Sequence, residues 1–303
     1  DPATARPVGG GCINRCWEIP GAGARWFLKT NSADKAAMFT AEARGLAALG
    51  EAGPLRVPAV IGSGCAGNTA YLLLEWIPLG AVSRDIEAEF GAGLARLHRT
   101  TSARFGFDAD NFIGSTAQPN EWRASWCEFF AQQRLGFQLD LARENGLGAR
   151  LQKAGERLLQ VLPQLFAQHA PQPSLLHGDL WGGNRACDEQ GRPVIFDPAV
   201  YFGDREADLA MTELFGGYSG GFYDAYENAW PNDTGYRVRK TLYNLYHILN
   251  HFNLFGGGYA GQAQGNGGIG QIASVFNIVN GLSSDVDGFG QFLLGPPFFQ
   301  AEV

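Results

Sequence analysis

Charge is scarce in this chain. Of 303 residues only 17% are charged, below the usual quarter, and 23 Lys plus Arg against 30 Asp plus Glu leave a formal net charge of −7. The missing basic excess excludes wrapping of nucleic acid or of an anionic membrane on electrostatic grounds. No run reaches the roughly 18 apolar residues of a membrane span. The opening DPATARPVGGG lacks the charged-then-apolar shape of a signal peptide, and it begins without Met, so a trimmed or incomplete start is expected. Cysteine is sparse too. Cys12, Cys16, Cys65, Cys127 and Cys187 are scattered and odd in number, with no CxxC, which argues against a zinc site and a disulfide framework. These absences lead to the expectation of a cytoplasmic protein with no nucleic-acid and no membrane partner. What is plentiful is apolar: 45% hydrophobic and 12% aromatic residues, enough for one full core or two lobes sharing one.

The order of patterns is strands, one helix, then strands over residues 1–77, followed by mostly helical sequence. Strand-like runs surround residues 8–11 and 16–19, and residues 25–30 are apolar and aromatic before Lys29. A helix is predicted over 32–49, stopping at Gly50. YLLLEWI, residues 71–77, is a buried strand halted by Pro78 and Gly80. Ser83 is a candidate N-cap before Ile86, Phe90, Leu94 and Leu97 at helical spacing. Helices are predicted over 121–143, 147–168, 205–215 and 236–255, with a strand–turn–strand over 174–197 turning at 188–192. The expected fold is therefore α+β: a small β-rich lobe (1–77), a larger mainly helical lobe (78–263), and an atypical tail (264–303). That tail has eight glycines and no Lys or Arg, and is expected to be loosely packed or to drive association.

The most informative stretch is LLHGDLWGGN. His177, Gly178 and Asp179 follow an apolar strand, Asn184 lies five residues past the aspartate, and Asp197 ends another apolar strand thirteen residues on. A base for a hydroxyl plus two oxygen ligands for Mg²⁺ is what metal-assisted phosphoryl transfer requires. Asp179 is the candidate base, and Asn184 and Asp197 the candidate Mg²⁺ ligands; the bland alternative makes Asp179 and Asn184 hairpin turn residues. Upstream, Gly9, Gly10 and Gly11 can bring backbone N–H groups to phosphates, although a plain hairpin uses the same residues. Lys29 on a strand and Glu42 on a helix suit an ammonium aimed at the α- and β-phosphates, against the alternative of two solvated charges. Glu75, Trp76 and Ile77 then offer hinge backbone groups to adenine.

With these segments in order, the chain resembles the fructosamine/ketosamine 3-kinase family, relatives of aminoglycoside and choline kinases. The likeness rests on VGGGCIN, FLKTN, MFTAEARGL, GFDADNFIG, NEWRASW, LLHGDLWGGN, FDPA and LNHFNLFG, spread over residues 8 to about 263. It implies a protein-kinase-like two-lobed fold, ATP and Mg²⁺ as cofactors, and phosphorylation of the 3-hydroxyl of a ketosamine, free or on a glycated protein. The 3-phosphate, β to a carbonyl, can then eliminate and free the amine. Two departures stand out: only about seven residues precede the glycine loop, and the tail is unlike the family's short basic helix.

The resemblance also suggests that His251 faces the acceptor, with an ordinary helix-surface histidine as the alternative. Trp181 is expected to stack on the sugar, with core packing as its alternative. His247 and His251 share a helix face, but Ile248 replaces the Glu of HExxH, so no metal is expected there. His98 and His177 are expected to brace the catalytic loop, and Asp208 to anchor it. Trp122 and Trp126 are expected in the core. Cys12, beside the glycine triplet and Lys29, is a candidate redox sensor, which makes the chain a monomer or a Cys12-linked homodimer. Two other functions remain open: a kinase of another hydroxylated acceptor, such as an aminoglycoside or choline, and an inactive kinase-like binding module.

Overall fold

The computed structural model describes residues 4–9, 13–21, 23–80 and 82–266. Gly10, Gly11, Cys12 and residues 267–303 of the tail lie outside the described residues.

The amino-terminal lobe is an antiparallel sheet backed by one helix. Strands β1 (Arg6–Val8), β2 (Arg15–Pro20) and β3 (Arg25–Ser32) lead through a short 3₁₀ turn (Ala33–Lys35) into α1 (Ala36–Ala52). Then come β4 (Val60–Ala66) and β5 (Thr69–Glu75), and the sheet order is β1-β2-β3-β5-β4. Phe39, Leu46 and Leu49 recur on one face of α1, and Phe39 and Leu46 pack on Ala70, Leu72 and Leu74 of β5. Helix α1 runs through Gly50 and stops at Gly53, whose φ of 78° places its N–H on the Leu49 carbonyl. The predicted stop was one turn early because Gly50 fits a helix; only the residue that leaves it needs the left-handed conformation. Strand β4 escaped prediction, its VIGSGCA sequence having no apolar alternation. Lys29 lies mid-strand rather than at the end of β3.

Beyond β5 the chain is mostly helical. A two-residue strand β6 (Leu79–Gly80) precedes α2 (Arg84–His98), whose N-cap Ser83 accepts the Ile86 N–H as expected. A hairpin, β7 (Asn111–Ile113) and β8 (Thr116–Gln118), follows. The helix predicted from residue 121 begins instead at α3 (Trp126–Phe129), because Arg123 exchanges both backbone hydrogen bonds with Phe105 and is thereby held extended. It passes through a π-helical stretch (Phe130–Gly136) into α4 (Phe137–Glu144), then α5 (Ala149–Leu165). The predicted strand–turn–strand resolves into β9 (Ser174–Leu176), β10 (Arg185–Asp188) and β11 (Pro193–Ile195). Strand β10 pairs with β11 and β6, while β9 pairs with β12 (Tyr201–Gly203). Helices α6 (Glu206–Leu214), α7 (Gly220–Ala229) and α8 (Tyr236–Asn266) complete the lobe. Helix α8 breaks at Gly256 (φ 64°) and continues past the predicted end at 255, three residues into the segment set apart as the tail. Two cores fill this lobe, one around Phe129, Phe130, Tyr243 and Leu249, the other around Phe90, Leu94, Phe222 and Tyr226.

Arg56 staples the two parts together. Its guanidinium bonds Glu75 at the end of β5 (2.5 Å) and Asp188 at the end of β10, and its backbone pairs beside β11. Three more donors reach Asp188: the N–H groups of Gln190 and Arg192 and the Arg192 guanidinium. Together these bonds outweigh burial and pull its carboxyl down to about 2.

Candidate active site

The catalytic loop runs from β9 to β10, so both of its ends are fixed by sheet pairing. Between them, residues 177–179 turn sharply against the segment after Asp197. Gly178 has φ 82°, and a Cβ there would lie 2.0 Å from the Ala199 carbonyl oxygen, so only glycine fits.

Asp208 on α6 anchors this loop from behind. Its carboxylate accepts the His177 N–H (2.7 Å), the Gly178 N–H (2.8 Å) and a bond from His98 Nε2 (3.2 Å). His98 is fully buried, and burial lowers its pKa, so the ring is neutral. Nε2–H then donates to Asp208 while Nδ1 accepts from Tyr226 OH (2.7 Å), which is itself met by Arg205. Burial opposes the Asp208 charge, but His98 and the neighbouring donors outweigh it and hold the carboxyl below its ordinary value. His177 uses both ring nitrogens, one on the Phe196 carbonyl (3.0 Å) and one accepting the Asp179 N–H (3.3 Å). It braces the loop and has no nitrogen left to act as base.

Asp179 projects from this loop half-buried. Desolvation first, then the charges of Asp197 and Asp208, push its carboxyl up to about 7, against a lowering bond from Asn184. The Asn184 amide nitrogen donates to the Asp179 carbonyl (2.9 Å), the Asp179 carboxylate (3.3 Å) and the Asp197 carbonyl (3.4 Å), which leaves Oδ1 as its acceptor. Asp197 is the one described non-glycine residue with positive φ (57°), and its side chain is 46% exposed. Such a conformation costs on the order of 1–3 kcal/mol and persists only where surrounding contacts impose it.

The buried Lys29 ammonium joins the two lobes. It bonds Glu42 of α1 at 2.7 Å and also the carboxylate of Asp197. Burial disfavours its charge, yet Glu42 and Asp197 outweigh that and hold the pKa above the ordinary lysine value. The sequence thus named four groups, Lys29, Glu42, Asp197 and Asp179, that the fold brings to one cleft. Oxygen donors on Asp197 and Asn184 suit a hard divalent cation, and the strained, exposed Asp197 carboxylate supports that fit. Of the hinge residues, Glu75 is committed elsewhere: its N–H bonds the Ala59 carbonyl and its carboxylate holds Arg56. Trp76 lies 6.3 Å from the Phe27 ring and under Arg25, and Ile77 is buried. Gly9 leads out of β1, and Gly10, Gly11 and Cys12 lie outside the described residues.

Trp181, expected from the sequence to stack on the sugar, is 42% exposed, which overturns its core-packing alternative. The ring folds over Gly183, where a Cβ would lie 2.1 Å away. Gly182 abuts the Gly216–Gly217 backbone, and Phe215 just before it is 44% exposed. The half-buried His251 ring stands 5.0 Å from Phe215 and 5.8 Å from Phe255. Phe215 and Phe255 went unnoticed in the sequence, where exposed and core phenylalanines look alike. Of the two tryptophans expected in the core, Trp126 is there (3% exposed), while Trp122 lies against Phe202 and under Arg104.

Comparison with known proteins follows the same lines. A family model described as fructosamine kinase matches residues 1–268. A Synechocystis protein named "probable ketoamine kinase" is 48% identical over 86% of this chain and 87% of its own. A protein-ribulosamine 3-kinase of Arabidopsis thaliana, named chloroplastic, is 44% identical over 84% of this chain and 79% of its own. Among solved structures, a Haemophilus somnus protein named "putative fructosamine-3-kinase" superposes with TM-score 0.80 at 30% identity, covering 92% of this chain and 90% of its own. A thermostable mutant of the aminoglycoside phosphotransferase APH(4)-Ia shares the protein-kinase-like fold at TM-score 0.59 and 16% identity, with 94% of this chain and 95% of its own covered. Matched along nearly all its described length, this chain belongs to the fructosamine kinase family.

Proposed function

We propose that this protein transfers the γ-phosphoryl group of ATP to the 3-hydroxyl of a ketosamine. It is a phosphotransferase acting on a hydroxyl group, as its family membership and its ketoamine- and ribulosamine-kinase relatives indicate. The observation that carries the residue assignment is the gathering of Asp179, Asn184, Asp197 and Lys29 at one cleft, with Asp179 poised near neutrality. A carboxylate whose pKa lies near working pH is suited to general-base work.

In this reading Asp179 orients the acceptor hydroxyl and takes its proton as O3 bonds the γ-phosphorus, and the bridging oxygen leaves with ADP. Lys29, held by Glu42, meets the α- and β-phosphates once nucleotide draws it from Asp197. Asp197 and Asn184 would hold Mg²⁺, which when bound neutralises phosphate charge. Gly9–Gly11 would cover the phosphates, and Trp76 and Ile77 would face adenine. Trp181 and His251 line the acceptor side, where the sugar's apolar face would lie on the indole. The 3-phosphoketosamine then loses phosphate by β-elimination, and water hydrolyses the resulting imine to a dicarbonyl sugar and the free amine, a deglycation. A cytoplasmic setting is part of the same reading; separately, among the described residues no helix is long and apolar enough to cross a membrane.

The second reading, an aminoglycoside-like acceptor, is disfavoured by the proposed acceptor rim: a polycationic aminoglycoside wants carboxylates, whereas Trp181, Phe215, His251 and Phe255 present rings. A choline-like acceptor, whose quaternary ammonium rings can hold, is separated by the assay itself. The test is ADP release with fructosyl- or ribulosyl-lysine, with glycated protein, with kanamycin and with choline. Release with the ketosamines alone supports the proposal; release with kanamycin or choline alone overturns it.

A further inference from the structure

The β7–β8 hairpin belongs to neither the catalytic loop nor the sheet of the small lobe, yet it touches the machinery from several sides. Strand β7 packs against α1, the helix that carries Glu42. At the hairpin turn a Cβ on Gly114 would lie 3.0 Å from Leu254 of α8 and 3.4 Å from Ile13, just past the glycine loop. The far end is pinned by Arg134, fully buried, whose guanidinium donates to the Pro119 carbonyl and to Asn120 Oδ1, each at 2.6 Å.

Between these ends two buried amides reach the chain that follows Asp197. Asn111 Nδ2 donates to the Val200 carbonyl (2.7 Å). Gln118 Nε2 donates both to the Ala199 carbonyl (3.1 Å) and to Asn111 Oδ1 (2.7 Å), while Gln118 Oε1 accepts from Tyr246 OH (2.6 Å). Both amide hydrogens of Gln118 and its oxygen are used, and the residue is 1% exposed. From the other side the Ala199 N–H bonds the His177 carbonyl (2.8 Å). Two and three residues past Asp197 the chain is thus held, at Ala199 from both sides and at Val200 by Asn111. A left-handed aspartate persists through such a grip, since the conformation is strained even for Asp, which tolerates it better than most residues. Lys29 grips the carboxylate itself, but that contact must yield when nucleotide arrives; the hairpin contacts need not.

We propose that the β7–β8 hairpin is a positioning element for the nucleotide half of the site, with Gln118 its principal side chain. Gln118 fixes the peptides after Asp197 and thereby keeps that carboxylate turned into the cleft. The proposal rests on the assignment of Asp197 to the nucleotide side. Gln118 is a positioning residue: it acts on Asp197 through the backbone and touches no substrate.

The test is Gln118→Glu in the full chain. It keeps the volume and the oxygen that Tyr246 meets, and sets an acceptor where the Ala199 carbonyl and Asn111 Oδ1 need a donor. Mg·ADP affinity is read by calorimetry without acceptor, alongside KM for a ketosamine. The expected result is at least a tenfold weaker Mg·ADP affinity, about 1.4 kcal/mol, with ketosamine KM within twofold of wild type. The defect should shrink between pH 8 and pH 6, because a protonated carboxyl can donate again. Combined with Asp197→Ala, Gln118→Glu should cost no further nucleotide affinity, since it acts only through that carboxylate. Affinity within twofold of wild type, or equal losses on an Asp197→Ala background, overturns the proposal. If Gln118→Glu fails to fold, Tyr246→Phe removes only the hydroxyl that fixes the amide; a roughly threefold loss of the same affinity is expected, and none overturns the proposal. A wild-type protein that binds Mg·ADP but phosphorylates no ketosamine would refute the functional reading and leave this test intact. Unchanged nucleotide affinity in Asp197→Ala itself would instead refute the role assigned to that aspartate, and the proposal with it.

Discussion

The two walls of the cleft are built by opposite means. The wall bearing Asp179 and Asp197 is a web of buried polar groups in which Asp208, His98, His177, Asn184 and Gln118 each hold backbone or carboxylate by named hydrogen bonds. The wall proposed for the acceptor is a rim of rings, with Trp181, Phe215 and Phe255 all more than 40% exposed. Phosphoryl transfer tolerates little displacement of its groups, so the first wall is over-determined. Apolar stacking is non-directional and accommodates sugars on differing amine carriers, so the second need not be. Substitutions on the first wall should therefore alter turnover or nucleotide binding, and those on the second only acceptor affinity.

The largest effect should come from Asp179→Asn, which keeps shape and removes the base. Turnover should fall by about 10²–10⁴-fold with Mg·ATP affinity within a few-fold; near-normal turnover would end the assignment. The same variant carries a stability signature. The folded-state pKa of about 7 lies above the ordinary 3.8, so the folded protein binds this proton more tightly than the unfolded chain. The contribution of Asp179 to stability is thus complete at low pH and erodes as pH rises from about 4 to about 7. Asn does not titrate, so the melting temperature of the nucleotide-free variant should gain on wild type between pH 5 and pH 8. A constant difference across that range would mean the carboxylate is not strained by its surroundings.

Asp197→Ala comes next and should weaken Mg·ATP binding by more than tenfold through loss of an oxygen ligand, read by calorimetry at low millimolar magnesium. Unchanged affinity would remove Asp197 from the nucleotide wall. Asp208→Asn exchanges one accepting oxygen for a donor against the His177 and Gly178 N–H groups. A cost of about 1–3 kcal/mol in stability is expected, with kcat lowered and KM for ATP little changed. A variant with full kcat and lowered stability would make Asp208 purely structural. The smallest effects belong to the rim: Trp181→Ala and Phe215→Ala should each raise ketosamine KM about two- to tenfold, the worth of one aromatic contact of about 0.5–1.5 kcal/mol. Mg·ADP affinity should not move. If it does, the two walls are not separable.

Only part of this arrangement is legible in the sequence, and physical range decides which part. HGD, the asparagine five residues on and the aspartate thirteen residues on lie within one loop and one hairpin, so their spacing announces their meeting. Lys29 and Glu42 are likewise one strand and one helix apart, and their 2.7 Å contact follows from how α1 backs the sheet. Apolar periodicity marks α2 and the body of α8. Boundaries fare worse: Gly50 and Gly53 are chemically identical, and only the chain's exit after Ala52 selects the second. The pairing of β9 with β12 rather than with β10 is equally invisible, since three apolar residues fit any partner.

What the sequence determined alone is the inventory: a candidate base, two candidate oxygen ligands, a strand lysine and a helix glutamate, in an order and spacing that suit phosphoryl transfer. What only the tertiary structure decided is how that inventory is held. Asp197 could not be known to sit at φ 57°, because an aspartate's local preference does not choose that conformation. It is imposed by Gln118 and Asn111, some eighty residues upstream, and by His177, twenty upstream. An amide that bonds a distant carbonyl leaves no local pattern in sequence. Trp181 and Trp126 likewise differ by burial alone, 42% against 3% exposed, and burial is set by every element packed around a residue rather than by the residue itself.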